Sequence, residues 1–261
     1  MPGSAKAEAM TTETFEVRLI PVDRPWSWLA AGWRDLARRP DIALTYGGII
    51  VATSWALTVI LHVLDYFYLM LPLAAGFMFV APILGVGLYD TSRRLEAGER
   101  PTLATALGAW RRNGEQVLLF SLVLTLIHLA WVRVAQLLFA LFFSATAPNF
   151  ETVIQVLLFS PQSIPFLAVG TAIGAVLAAL TFAIAAVSIP MLHDRPVSFV
   201  TAVAISFTAV ARNWKPMALW AALIVGFTAA GIATLYIGLA ITMPLIGHAT
   251  WHAYRDLVAA H

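Results

Sequence analysis

The chain has 261 residues, of which 60% are hydrophobic and only 11% charged, with a formal charge of +2 and a mean hydropathy of +0.82. Soluble domains carry about 25% charged residues, so this balance excludes a water-soluble globule and predicts an integral membrane protein. With no cysteine, disulfides, thiolate metal sites and cysteine nucleophiles are excluded as well.

Residues 1–24 read as a variable tail ahead of a membrane domain over 25–261. The first forty residues hold acids and arginines and no apolar core before Ile42, so they do not read as a secretory signal. A membrane crossing needs about 20 apolar residues at roughly 1.5 Å rise each. Ile42 to His62 and Tyr66 to Tyr89 are free of formal charge and predict the first two spans. Gln116 to Phe143 predicts the third, interrupted only by His128 and Arg133. No Asp, Glu, Lys or Arg occurs between Glu151 and Asp194, which places a fourth near Pro165 to Leu192. Pro216 to Tyr254 is also uncharged, roughly 58 Å if wholly helical, too long for one crossing and enough for two. Gly231 and Gly238 bracket the expected turn.

The expectation is therefore an all-α membrane protein with six spans in three hairpins. Arginines cluster before span one (Arg34, Arg38, Arg39), between spans two and three (Arg93, Arg94, Arg100, Arg111, Arg112) and between four and five (Arg195, Arg212, with Lys215). Loops rich in Lys and Arg face the cytoplasm, so both termini are expected there, in a bacterial inner membrane. Basic residues so distributed point to lipid headgroups rather than nucleic acid.

A short segment with helical apolar spacing precedes each odd span: "WSWLAAGWRDLARRPDIAL", "LATALGAWRRNGEQVLLF" and "FVTAVAISFTAVARNWKPMAL". Each ends in Arg or Lys and predicts an interfacial amphipathic helix. The unit of surface helix, span out and span back suggests three repeats over 25–98, 99–195 and 196–258. "PILGVGLYDTSRRL" (Pro82 to Leu95) and "PLIGHATWHAYRDL" (Pro244 to Leu257) share proline, glycine, arginine and leucine positions, with Tyr89 opposite Trp251.

Two histidines, His248 and His252, stand four apart on one helix face and are the only candidates to bind a cofactor. No H-E-x-x-H accompanies them, and the earlier copy has no histidine, so the reading favours a polar helix end that hydrogen-bonds its neighbours. No metal site, no other cofactor and no catalytic residue are expected. His128 falls about 18 Å into span three and is the candidate buried polar site. Arg133, nearer the far surface, is expected to pair with Asp65 or Glu151. Asp90, Arg93, His193, Asp194, His252 and Arg255 are expected to share the cytoplasmic face. No Walker loop, nucleophile elbow or nucleotide fingerprint is present.

"MPLIGHATWHAYRDLV" (Met243 to Val258) and the PxLGxGLYxxSRRLExGxxP pattern from Pro82 to Pro101, with Gly85, Gly87, Tyr89, Ser92, Arg93, Glu96 and Gly98, resemble a bacterial family of integral membrane proteins catalogued as domain of unknown function 2189. The resemblance implies fold and location over most of the chain after about residue 25. Some members carry the label of cytochrome c oxidase subunits. Six scattered histidines do not make an oxidase core, so what the label implies here is an accessory role. The leading expectation is an accessory or scaffold protein with a membrane-protein partner, for which an oxidase complex is the candidate. The alternative is a transporter or channel for a small or lipidic solute. A membrane enzyme comes third, with Asp90, His193, Asp194, His248 and His252 as its only nucleus.

Overall fold

The computed structural model describes residues 15–66, 69–70, 72–74, 83–143 and 159–260. The described part is helical almost throughout. Strand β1 (Phe15–Val17) leads to α1 (Arg24–Arg38) and α2 (Pro40–Val63); then come α3 (Val86–Glu96), α4 (Leu103–Leu107) and a 3-10 turn at Ala109–Arg111. After α5 (Gly114–Phe142) follow α6 (Ser163–Ala185), α7 (Ser188–Asp194), α8 (Phe199–Arg212), α9 (Trp214–Ala233), α10 (Leu239–Leu257) and β2 (Val258–Ala260). Most of the predicted second span, with Pro82, and also Glu151 and His261 lie outside the described residues.

Four stretches among the described residues are long and apolar enough to cross a membrane: Pro40–Val63, Gly114–Phe142, Ser163–Asp194 and Trp214–Ala233. Their outward faces carry bare apolar side chains such as Ile49, Val59, Leu122, Leu137, Leu180 and Val225. In water these would be costly to expose, and in hydrocarbon they cost nothing.

The long uncharged run after Pro216 divides in two. Helix α9 ends at Ala233 and α10 starts at Leu239. Between them Leu235 (φ 55°) and Tyr236 (φ 69°) turn the chain through the left-handed region. A Cβ on Gly238 would lie 3.0 Å from the Cα of Gly231, so the two glycines close the hairpin by touching. Helix α10 is not among the four apolar stretches, because Pro244, His248, Thr250 and His252 dilute it. It is instead the hub of the molecule. Residues Met243 to Trp251 are all buried, and α1, α2, α3 and α9 pack around it.

Each short helix predicted from the sequence forms and feeds a long one: α1 into α2, α4 with the 3-10 turn into α5, and α8 into α9. Helix α1 starts with proline in its first turn and buries Trp28, Leu29, Gly32, Asp35 and Leu36 along one stripe. Pro40 follows its C-terminal Arg39 and starts the next helix at a new angle. Each short helix leans on the helix end before it in a ring: α4 on α3, α8 on α6 and α7, α1 on α10.

Two asparagines lock this ring. Asn113, at φ 49°, directs Nδ2 at the carbonyls of Leu192 (3.1 Å), Arg195 (3.3 Å) and Val197 (3.1 Å). Asn213 donates from Nδ2 to the Arg18 carbonyl (2.9 Å) and accepts the Ile20 N–H on Oδ1 (3.0 Å). Strand β1 pairs antiparallel with β2, Val17 opposite Val258. The last residues of the predicted tail are thus bound into the body of the protein.

Candidate functional site: a buried polar layer around α10

The ends of α3, α7 and α10 meet, with α1 across them. Their polar side chains form a layer in which nearly every partner comes from a different helix. His252 Nε2 donates to Asp35 Oδ2 at 2.7 Å, joining α10 to α1. Ser92 of α3 lies 2.8 Å from His248 Nδ1, and its hydroxyl also helps to lower the Asp35 carboxyl. The chain His248, Ser92, Asp35, His252 therefore links the two histidines through an acid on another helix. The Asp35 carboxyl is pushed up by burial. The bonds from His252 and Ser92 outweigh that and hold it below its ordinary range.

Asp90 is the second centre. His193 Nε2 reaches its Oδ1 at 3.0 Å, while Arg93 (2.9 Å) and Arg94 (2.6 Å) donate from one turn along α3. Burial again pushes the carboxyl up. The hydrogen bonds from His193, Arg94 and Arg93 prevail and hold it far below the usual carboxylate range. Tyr254 of α10 donates to Asp194 of α7 at 2.8 Å, and Arg255 lies 3.8 Å from the same carboxylate. Glu96 of α3 accepts the Trp251 indole N–H at 3.0 Å and pairs with Arg255 at 3.3 Å. Asp256 accepts from Arg24 (2.6 Å) and the Trp28 indole (2.9 Å), tying α10 to α1. Trp28 then meets Trp220 of α9 edge-on at 5.6 Å.

The predicted residues of the shared face, Asp90, Arg93, His193, Asp194, His252 and Arg255, are brought into this layer. His248 and His252 do not converge on one point, since each bonds a different partner. The described residues contain no group of three His, Asp or Glu side chains placed to hold a metal ion. His248 Nε2 and His193 Nδ1 are buried without a hydrogen-bond partner among the described residues. No charged or nucleophilic member of the layer borders the cavity described below.

Of the second predicted group, Glu151 lies outside the described residues, so the Asp65 pairing alone can be compared. His128 is half-buried on α5, whereas Arg133 and Asp65 are exposed. Arg133 Nη1 donates to Gln136 Oε1 at 3.3 Å, on its own helix, and makes no ion pair with Asp65 among the described residues. A guanidinium one turn from an amide takes that partner at less conformational cost than an acid across the bundle.

Sequence reading missed Asp35, Ser92, Glu96, Trp251 and Asp256. Asp35 had a legible signal: it falls on the stripe of Trp28, Leu29, Gly32 and Leu36, where an acid must be buried and so must be paired. Ser92 had none beyond its place in the SRRL segment.

No curated protein and no solved structure matches the chain. Residues 70–194, which carry Asp90, Ser92, Glu96, His193 and Asp194, match the family model described as predicted integral membrane protein, DUF2189. A bundle with apolar outer faces, four stretches long enough to cross and a buried polar layer fits that description, and over residues 70–194 the chain is similar to the integral membrane proteins catalogued as DUF2189.

Proposed function

We propose that this chain is a non-catalytic accessory or scaffold subunit of the bacterial inner membrane. In this reading it crosses six times, in three hairpins with three-part pseudosymmetry. Both termini are cytoplasmic, and the polar layer sits towards that face. One observation supports the scaffold reading above others: the ionisable groups of the layer are paired with one another across helices, which makes them ties. The outer faces of α2, α5, α6 and α9 meanwhile stay apolar and unpartnered among the described residues. A rigid body with free apolar flanks is what a lateral partner in the bilayer needs. No cofactor is required.

The candidate partner is a respiratory terminal oxidase, on the strength of the label that family members carry. Tagged full-length chain, extracted gently from native membranes, is expected to elute with stoichiometric haem absorbance and oxidase subunits. Elution as a lone monomer overturns the scaffold reading. The transport alternative is favoured by an apolar cavity, and the absence of charged residues from its wall among the described residues restricts it to an apolar or lipidic solute.

A further inference from the structure

We propose that the cavity between α2, the start of α3, α6, α9 and α10 binds a small membrane-dissolved molecule with an apolar body and one oxygen that accepts a hydrogen bond from Tyr89. The cavity holds about 130 Å³ and is walled by side chains such as Ile50, Leu88, Phe182, Trp220, Ile224 and Met243. Among the described residues no Asp, Glu, Lys, Arg or His lines it. An engineered apolar cavity of about 150 Å³ stays dry and takes up benzene, so this space suits one ring or a short acyl segment, and not a whole phospholipid.

Its polar features are few and unequal. The Thr250 hydroxyl is committed to the Ile246 carbonyl (2.7 Å), and that of Thr228 to Met243 Sδ (3.9 Å). Tyr89 is 3% exposed, and its hydroxyl makes no hydrogen bond with any described residue. That hydroxyl is not sealed among packed atoms, as the partnerless Oγ1 of Thr181 on the α6 wall is. It faces the cavity and stands over Gly85, where a Cβ would come within 2.6 Å of it. Gly85 thereby keeps the hydroxyl free to donate inward. A water needs two to four polar partners, which this wall does not offer. A buried hydroxyl left unpaired is destabilising, and a ligand oxygen recovers part of that loss. Entry is lateral. Leu84 and Ala178 on the rim are exposed on the outer, apolar side of the bundle, where lipid would lie.

The site is independent of the scaffold reading and is tested on the full chain in nanodiscs by 19F NMR. The probes are 4-fluoroacetophenone and 1-ethyl-4-fluorobenzene, nearly the same shape, with and without the acceptor oxygen; empty nanodiscs measure partition into lipid. The wild type is expected to give a saturable, protein-dependent resonance with the ketone, two- to tenfold tighter than with the hydrocarbon. Tyr89→Phe, which breaks no hydrogen bond of the fold, should bring the ketone down to the hydrocarbon's affinity. Ala178→Trp, at an exposed rim position, should abolish both. A ketone signal no different from empty nanodiscs, equal affinity for the two probes in the wild type, or ketone binding unchanged by both substitutions overturns the proposal.

Discussion

Asp90 shows what a single side chain contributes here. It is buried, yet held ionised by His193, Arg93 and Arg94. Its folded pKa is depressed, so its contribution is fully present above the unfolded carboxyl value near pH 4 and is lost only as the pH falls through the lower, folded value. Asp35, lowered by His252 and Ser92, acts with the same sign. The carboxylate contribution to thermal unfolding, followed by near-UV circular dichroism in detergent, should therefore be intact at about pH 5 and be lost below about pH 4. Asp90→Asn should lose about 3 kcal/mol at pH 7, because it leaves three cationic or donor groups facing a neutral amide, and its acid step should shrink. An Asp90→Asn protein as stable as wild type would show that the ion pairs are not ties. Asn113 makes a separate prediction. Asn113→Ala removes three carbonyl contacts and places alanine at φ 49°, and together these should cost about 2–3 kcal/mol in the same assay.

Among the elements, α10 is where local sequence and tertiary role part company. Its composition reads as a poor span, but its contacts make it the axis. Close helix approach is what lets it serve: a Cβ at Gly47 of α2 would fall on the carbonyl group and Cα of Ala240, all backbone and unable to yield, while one at the adjacent Gly48 would meet nothing within 4 Å. Gly47→Ala should therefore cost about 3 kcal/mol by overpacking, and Gly48→Ala should stay within about 0.5 kcal/mol of wild type. Equal stabilities would mean that α2 and α10 do not pack at this distance. The helices themselves were legible, since period and length fix them without knowledge of neighbours: the three short surface helices, α2, α5 and the α9–α10 hairpin all fall where apolar spacing and charge place them. The basic residues before α5 and α9 showed two junctions, but not that Asn113 and Asn213 each clasp a chain segment distant in sequence. Pairing was the illegible part. Asp90 opposite His193 and Asp35 opposite His252 join residues more than a hundred positions apart, and single-sequence periodicity carries no signal at that range. The G-x-x-x-G at Gly170 and Gly174 was half a signal: Gly174 lies against the Trp131 ring, and Gly170 faces open space.

At the scale of the whole molecule, one end is distinguished chemically from the other. Trp26, Trp33, Trp110 and Trp214 are exposed on or beside the short helices, among Arg34, Arg38, Arg111, Arg112 and Lys215. Arg111 and Lys215 lie over the rings of Trp110 and Trp214 at 5.4 and 5.5 Å. Indoles and basic side chains together mark a headgroup level, and the proposed orientation puts this basic one at the cytoplasmic face. The opposite end holds the turn at Leu235 and the start of α6 at Ser160, both free of basic residues. Six crossings require these two positions to share the periplasmic side with Asp65, and require Glu99 and Ser198 to lie on the other. The native chain has no cysteine, so single-cysteine variants report without background. Asp65→Cys, Ser160→Cys and Leu235→Cys should react with a membrane-impermeant maleimide on intact spheroplasts, whereas Glu99→Cys and Ser198→Cys should react only after lysis. Labelling of Leu235→Cys solely after lysis would mean that α9 and α10 do not both cross. The polar layer around α10 would then have to sit somewhere other than the cytoplasmic headgroup level.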